Sequence, residues 1–109
     1  MSVTKAEKNT LVITADGELD HHTAAKIRKE ADNAFSGDTR NIIFDFSKLT
    51  FMDSSGLGMI MGRYKKIQKK GGSLVIVSPK PQVKRILEMS GIMSIAKIEP
   101  NIKQALKRM

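Results

Sequence analysis

What most narrows the folds open to this chain is a change of hydrophobic period that recurs along it. Leu11–Ala15, Ile42–Phe46, Leu74–Val77 and Ile95–Ile98 are short apolar runs of strand length. Each is followed by apolar residues at the spacing of one helix face. The first stripe is Ala24, Ile27, Ala31, Ala34 and Phe35, and the second is Leu57, Ile60, Met61, Tyr64 and Ile67. The third is Val83, Ile86, Leu87 and Ser90, and the last is Ile102, Ala105, Leu106 and Met109. Ser36-Gly37, Gly71-Gly72 and Gly91 stand where the first three stripes stop, as helix-ending residues do. Pro81 and Asn101 stand where the last two begin. A further strand, Val3–Glu7, turns at Lys8-Asn9 into the first run. Strand–helix alternation over so short a chain predicts an α/β fold. We expect a mixed, mostly parallel sheet of four to five strands, right-handed crossovers, four helices and an N-terminal hairpin. At 109 residues the chain reads as one domain, 1–109.

Composition removes several classes of function. There is no cysteine, hence no disulfide, thiolate metal site or cysteine nucleophile, which fits a reducing compartment. No segment approaches the roughly 18 apolar residues of a membrane span. The N-terminus, Met1–Glu7, lacks a signal-peptide core, so a cytoplasmic location without membrane contact is expected. The formal charge of +8 raises a nucleic-acid reading on the helix face Lys65, Lys66, Lys69 and Lys70. The basic residues are spread along the chain, however, and no aromatic is interleaved with them as a stacking platform. Solvated helix faces are the simpler account.

In parallel sheets, sites gather where strands pass into helices. Two such junctions carry polar residues: Gly17–His22, with Asp20 placed to cap the next helix, and Asp53-Ser54-Ser55-Gly56. If their strands are neighbours, both loops share one rim. A nucleophilic hydrolase would pair Ser54 or Ser55 with His21 or His22. But Met52–Gly56 lacks the leading glycine of a nucleophile elbow, and no third group orients a histidine. Adjacent histidines do not make a metal pair, and no phosphate-binding glycine loop is present, so neither metal nor cofactor is expected. On a helical wheel Ser55, Met59, Gly62 and Lys66 fall opposite the apolar stripe. Met59 is therefore expected on the solvent face between two glycines, Gly58 and Gly62, as an adaptable protein contact. A serine at a helix N-terminus is also a site for phosphorylation, since the dipole and free N–H groups accept the anion. Phosphorylation there adds roughly −1.5 to −2 charges. Glu18, Asp20 and Asp53 would reinforce that negative potential.

Phe51-Met52-Asp53-Ser54-Ser55-Gly56-Leu57-Gly58 followed by Gly62-Arg63-Tyr64-Lys65 resembles the signature of anti-sigma factor antagonists of the STAS domain class. Gly17–Ala24 and Val83–Gly91 resemble two further signatures of that class, so the likeness spans nearly the whole chain. The paired histidines and the Phe-Met-Asp-Ser-Ser-Gly string are more similar to the sporulation (anti-sigma-F) branch than to stress-response members. The resemblance implies a STAS fold and a non-enzymatic switch. The unphosphorylated form would bind an anti-sigma factor that is also a serine kinase, releasing the sigma factor. ATP-dependent phosphorylation of one serine would end binding, and a serine phosphatase would restore it. The serine directly after the aspartate is Ser54. Around it, Glu18, Asp20, His21, Asp53, Ser55, Gly56, Met59 and Gly62 are expected to form the partner surface.

Overall fold

The computed structural model describes residues 1–109. Strand β1 (Ser2–Ala6) pairs antiparallel with β2 (Thr10–Leu19) through a turn in which Lys8 and Asn9 both take left-handed φ values, 60° and 55°. Helix α1 (His21–Ala34), strand β3 (Asn41–Met52), helix α2 (Ser54–Gln68) and strand β4 (Leu74–Val77) follow. Helix α3 (Pro81–Met89), a single 3-10 turn at Ile92–Ser94, strand β5 (Ala96–Glu99) and helix α4 (Ile102–Lys107) complete the chain. The sheet runs β1-β2-β3-β4-β5, and every pair after the first is parallel.

Strand alternation divides the sheet into two faces. Leu11, Ile13, Ile42, Phe44, Phe46, Leu74, Ile76 and Ala96 point to one side, where α1, α2 and α3 cover them in the larger core. Three helices on one face is the result of right-handed crossovers that all advance in one direction across the sheet. Val12, Ile43, Val75 and Val77 point to the other side, which α4 covers through Ala105, Ile102 and Leu106. That is why the β3 and β4 runs lack polar alternation: both of their faces are dry.

β3 is longer than the sequence predicts. Ser47–Met52, whose place between the apolar run Ile42–Phe46 and Asp53 predicts a brief connection, continues the strand to the edge of α2, and β2 likewise continues through Asp16–Leu19. The two stay paired to Leu19 opposite Met52, with register shifts between Thr14 and Asp16 and between Gly17 and Glu18. At each shift β3 carries one residue more than β2, so it is the bulged strand. The polar residues that suggested a loop are the exposed side of this ribbon, whereas Leu49 and Met52 are buried in the helix-side core.

Candidate functional site

Because β2 and β3 are parallel neighbours, the helices that follow them begin side by side. The amide of Asp53 donates to the carbonyl of Leu19 at 3.2 Å and fastens the two junctions together. Each helix is capped by the aspartate that precedes it. Asp20 Oδ1 accepts from Thr23 N at 2.9 Å and Thr23 Oγ1 at 3.0 Å. Those bonds hold the Asp20 carboxyl below its usual pKa, the backbone N–H of Thr23 contributing most. Asp53 Oδ1 accepts from Ser55 N at 2.8 Å, and its carbonyl accepts from Gly56 N at 3.1 Å and Leu57 N at 3.4 Å.

Ser54 is thus not the cap but the first helical residue, exposed, its hydroxyl bonded to no group of the chain. The free helix N-terminus expected here is largely filled by Asp53, which leaves the Ser54 amide as the unpaired donor of the first turn. Ser55 is half-buried behind it, and Glu18, His21 and His22 are exposed beside it. The two imidazoles meet edge to face at 6.3 Å between centroids. No three acidic, histidine or cysteine side chains converge anywhere in the chain. The molecule's clefts are lined by other residues, so Ser54 stands on an open rim.

Two expectations about the partner surface are corrected. Met59 is not on the solvent face: it is 3% exposed and belongs to the helix-side core. The buried face of α2 is Gly56, Met59, Ile60, Arg63 and Ile67, rolled by roughly 80° from the stripe read in the sequence, with Leu57 and Tyr64 left at its margin. The face includes one charged residue, Arg63, which is buried with its Nε 3.2 Å from Asp32 of α1. The roll brings Met61 to the surface instead, at 37% exposure, beside Gly58 and Gly62. Gly56 is also buried, so it reaches no partner through a surface of its own. A Cβ there would lie 2.7 Å from Met52 Cγ and 3.0 Å from Leu19 Cγ, so its role is to let α2 sit down on the strand ends. Gly62 is half-buried, and a Cβ at Gly58 or Gly62 would meet nothing within 4 Å. Asp20, His21, Asp53, Ser54 and Ser55 do converge, with Glu18 on the adjoining ribbon. Met61, which the periodicity places in the buried stripe, is instead the exposed large apolar side chain of α2, and no local pattern in the sequence signals it.

A sequence model of the STAS domain matches residues 2–105 of this chain. The chain belongs to the STAS domain family. An anti-sigma F factor antagonist of Paenibacillus polymyxa is 42% identical over 100 residues, 91% of this chain and 86% of that protein. The solved structure of the anti-sigma factor antagonist SpoIIAA in its unphosphorylated form superposes with a TM-score of 0.86 at 32% identity, covering 98% of this chain and 93% of that one. The Bacillus cell fate determinant SpoIIAA in its phosphorylated form superposes with a TM-score of 0.78 at 31% identity, covering 98% and 96%. Within the family, the chain is an anti-sigma factor antagonist of the SpoIIAA type.

Proposed function

We propose that the chain is a phosphorylation-controlled partner switch acting by binding rather than catalysis, and a positive regulator of sporulation transcription. In its unphosphorylated form it binds an anti-sigma factor, itself a serine kinase, and so releases the sigma factor. That kinase transfers phosphate from ATP to Ser54 and thereby ends the complex, and a serine phosphatase reverses the modification. Nucleic acid and membrane take no direct part.

The observation that carries this reading is the placement of Ser54: an exposed, unbonded hydroxyl one residue past the cap of a helix whose other first-turn amides are already paired. A hydroxyl on an open rim is accessible to another protein's active site, and nothing beneath it depends on its hydrogen bonds. A phosphate added there meets the capping carboxylates of Asp53 and Asp20 on the same rim. A partner seated on that rim would have to desolvate roughly two new negative charges, which works against binding without disturbing the core. Gly58 and Gly62 support a close docking. Glycine inside a helix costs about 0.5–1 kcal/mol relative to alanine, and no neighbour within the chain requires it at either position. A partner backbone lying against Ser54, Gly58, Met61 and Gly62 would.

The test is to mix the protein with its anti-sigma factor kinase and ATP and map the modified residue by mass spectrometry. Phosphate is expected on Ser54 alone, with loss of the complex. Ser54→Ala should bind persistently and take no phosphate, and Ser54→Asp should bind poorly while melting like the wild type. Transfer to Ser55, or a complex that survives phosphorylation, would overturn the reading.

A further inference from the structure

We propose that Phe51 is a docking anchor for the partner that recognises Ser54, and that the bulged end of β3 serves to aim its ring outward. The inference rests on the partner-switch reading above and extends its surface to a second side of the rim. Phe51 is 46% exposed, whereas Phe44 and Phe46, on the same strand, are wholly buried. Its position follows from backbone construction. Leu49 and Met52 both face the helix-side core although they are three residues apart. This spacing is possible only because Thr50 is the extra residue of the second bulge, between the pairs Gly17–Leu49 and Glu18–Phe51. The bulge is pinned by Thr50 Oγ1, which donates to the carbonyl of Gly17 at 3.0 Å. Gly17 itself holds a left-handed φ of 66°. With Met52 turned in, Phe51 is turned to the opposite face, beyond the residues that α4 covers.

A lone exposed apolar residue needs no explanation. A phenylalanine held out by a pinned bulge, two residues before the helix cap and beside Glu18, is a different matter. It is continuous with the rim of Ser54, and its neighbours give the partner's chemistry: Glu18 pairs with Phe51 across the ribbon, and Lys48 lies on the same face. The occupant is therefore an anti-sigma factor surface with an apolar socket for the ring, a basic side chain to meet Glu18 and an acidic one to meet Lys48. Buried aromatics at the centre of a protein interface are the residues whose truncation costs most.

The experiment compares wild type, Phe51→Ala and Phe51→Leu for binding to the anti-sigma factor and for phosphate transfer to Ser54. Phe51→Ala is expected to bind at least tenfold more weakly. It should raise KM for transfer with kcat unchanged, since an anchor remote from the hydroxyl contributes equally to ground and transition states. Phe51→Leu should restore most of the affinity. Thermal melts of the free variants are the control for folding. If Phe51→Ala unfolds, hydrogen exchange on the wild-type complex decides: protection gained at Ser47–Met52 supports the anchor, and protection confined to Ser54–Gly62 overturns it. Equal affinity of wild type and a folded Phe51→Ala overturns the anchor while leaving Ser54 as the switch. Failure of the wild type to bind or to be phosphorylated removes both. Concentration-dependent self-association that Phe51→Ala abolishes would assign the ring to a second copy and overturn the proposal.

Discussion

At the residue scale, Asp20 and Asp53 do matching work at adjacent helix starts, and the two leave Ser54 unencumbered. Because the Asp20 carboxyl is held below its usual value, the sign of its contribution follows directly. The stabilisation is fully present above the unfolded carboxyl pKa of about 3.9 and is lost as pH falls through the lowered folded value. Denaturant midpoints measured from neutral pH down through that window should fall for the wild type. Asp20→Asn, which keeps an acceptor for Thr23 but cannot titrate, should show a shallower fall. The slope will not vanish, since Asp16, beside the N-terminal ammonium, and Asp38, beside the Ser36 hydroxyl, are lowered as well.

At the scale of elements, α2 is seated on the strand ends through a glycine and meets α1 through a buried ion pair. Gly56→Ala must displace Met52 and Leu19, an overpacking that costs typically about 1–3 kcal/mol and outweighs alanine's helix preference. Gly58→Ala and Gly62→Ala meet no obstacle and should each stabilise the free protein by about 0.5–1 kcal/mol while weakening the complex. Chemical denaturation combined with a binding titration on the three variants separates a packing glycine from docking glycines. The ion pair is unusual in form. Arg63 Nε and Asp32 Oδ1 are 3.2 Å apart without the alignment of a hydrogen bond, Arg63 Nη1 has no partner, and burial lowers the guanidinium's pKa against the opposing pull of Asp32. Lys66 Nζ shares the same oxygen at 2.9 Å. Removing one partner of a buried pair costs about 3–5 kcal/mol. The Asp32 side chain is 35% exposed, so Asp32→Ala should cost somewhat less, about 2–3 kcal/mol on that scale. Arg63→Met should cost less than Asp32→Ala, since the Asp32 carboxylate left behind is partly exposed and keeps Lys66 Nζ at 2.9 Å, whereas Asp32→Ala leaves the buried guanidinium unpaired. Unfolding curves of the two variants decide the matter, and equal losses would refute the argument.

For the molecule as a whole, the charge of +8 is less available than the sequence suggests. Lys70 Nζ donates to the carbonyls of Ser36, Gly37 and Thr39 at 3.3, 2.8 and 3.0 Å, and lies 5.0 Å from the centre of the Phe35 ring. Lys66 is taken by Asp32 and lies over the same ring at 5.3 Å. Two of the four lysines on the supposed nucleic-acid face therefore hold the end of α2 against α1 and the loop after it. A titration of duplex DNA and of RNA at two salt concentrations should show only weak association. A log–log salt slope steeper than about −3 would mean several displaced counterions and would restore the nucleic-acid reading.

By itself the sequence determined the order of strands and helices, the mostly parallel sheet and the position of Asp53-Ser54 at a strand–helix junction. All of these follow from local spacing and capping preferences that neighbouring residues settle among themselves. The roll of α2, the length of β3 and the direction of Phe51 were decided by tertiary structure. A periodicity argument counts Arg63 as a surface residue, whereas the folded chain buries it beside Asp32 of α1, on the same helix face as Met59. The polar residues of Ser47–Thr50 read as a loop until β2 supplies a partner strand and the two bulges decide which side chains face the core. Contacts between segments distant in sequence leave no period in either one, so they become visible only when the chain is folded.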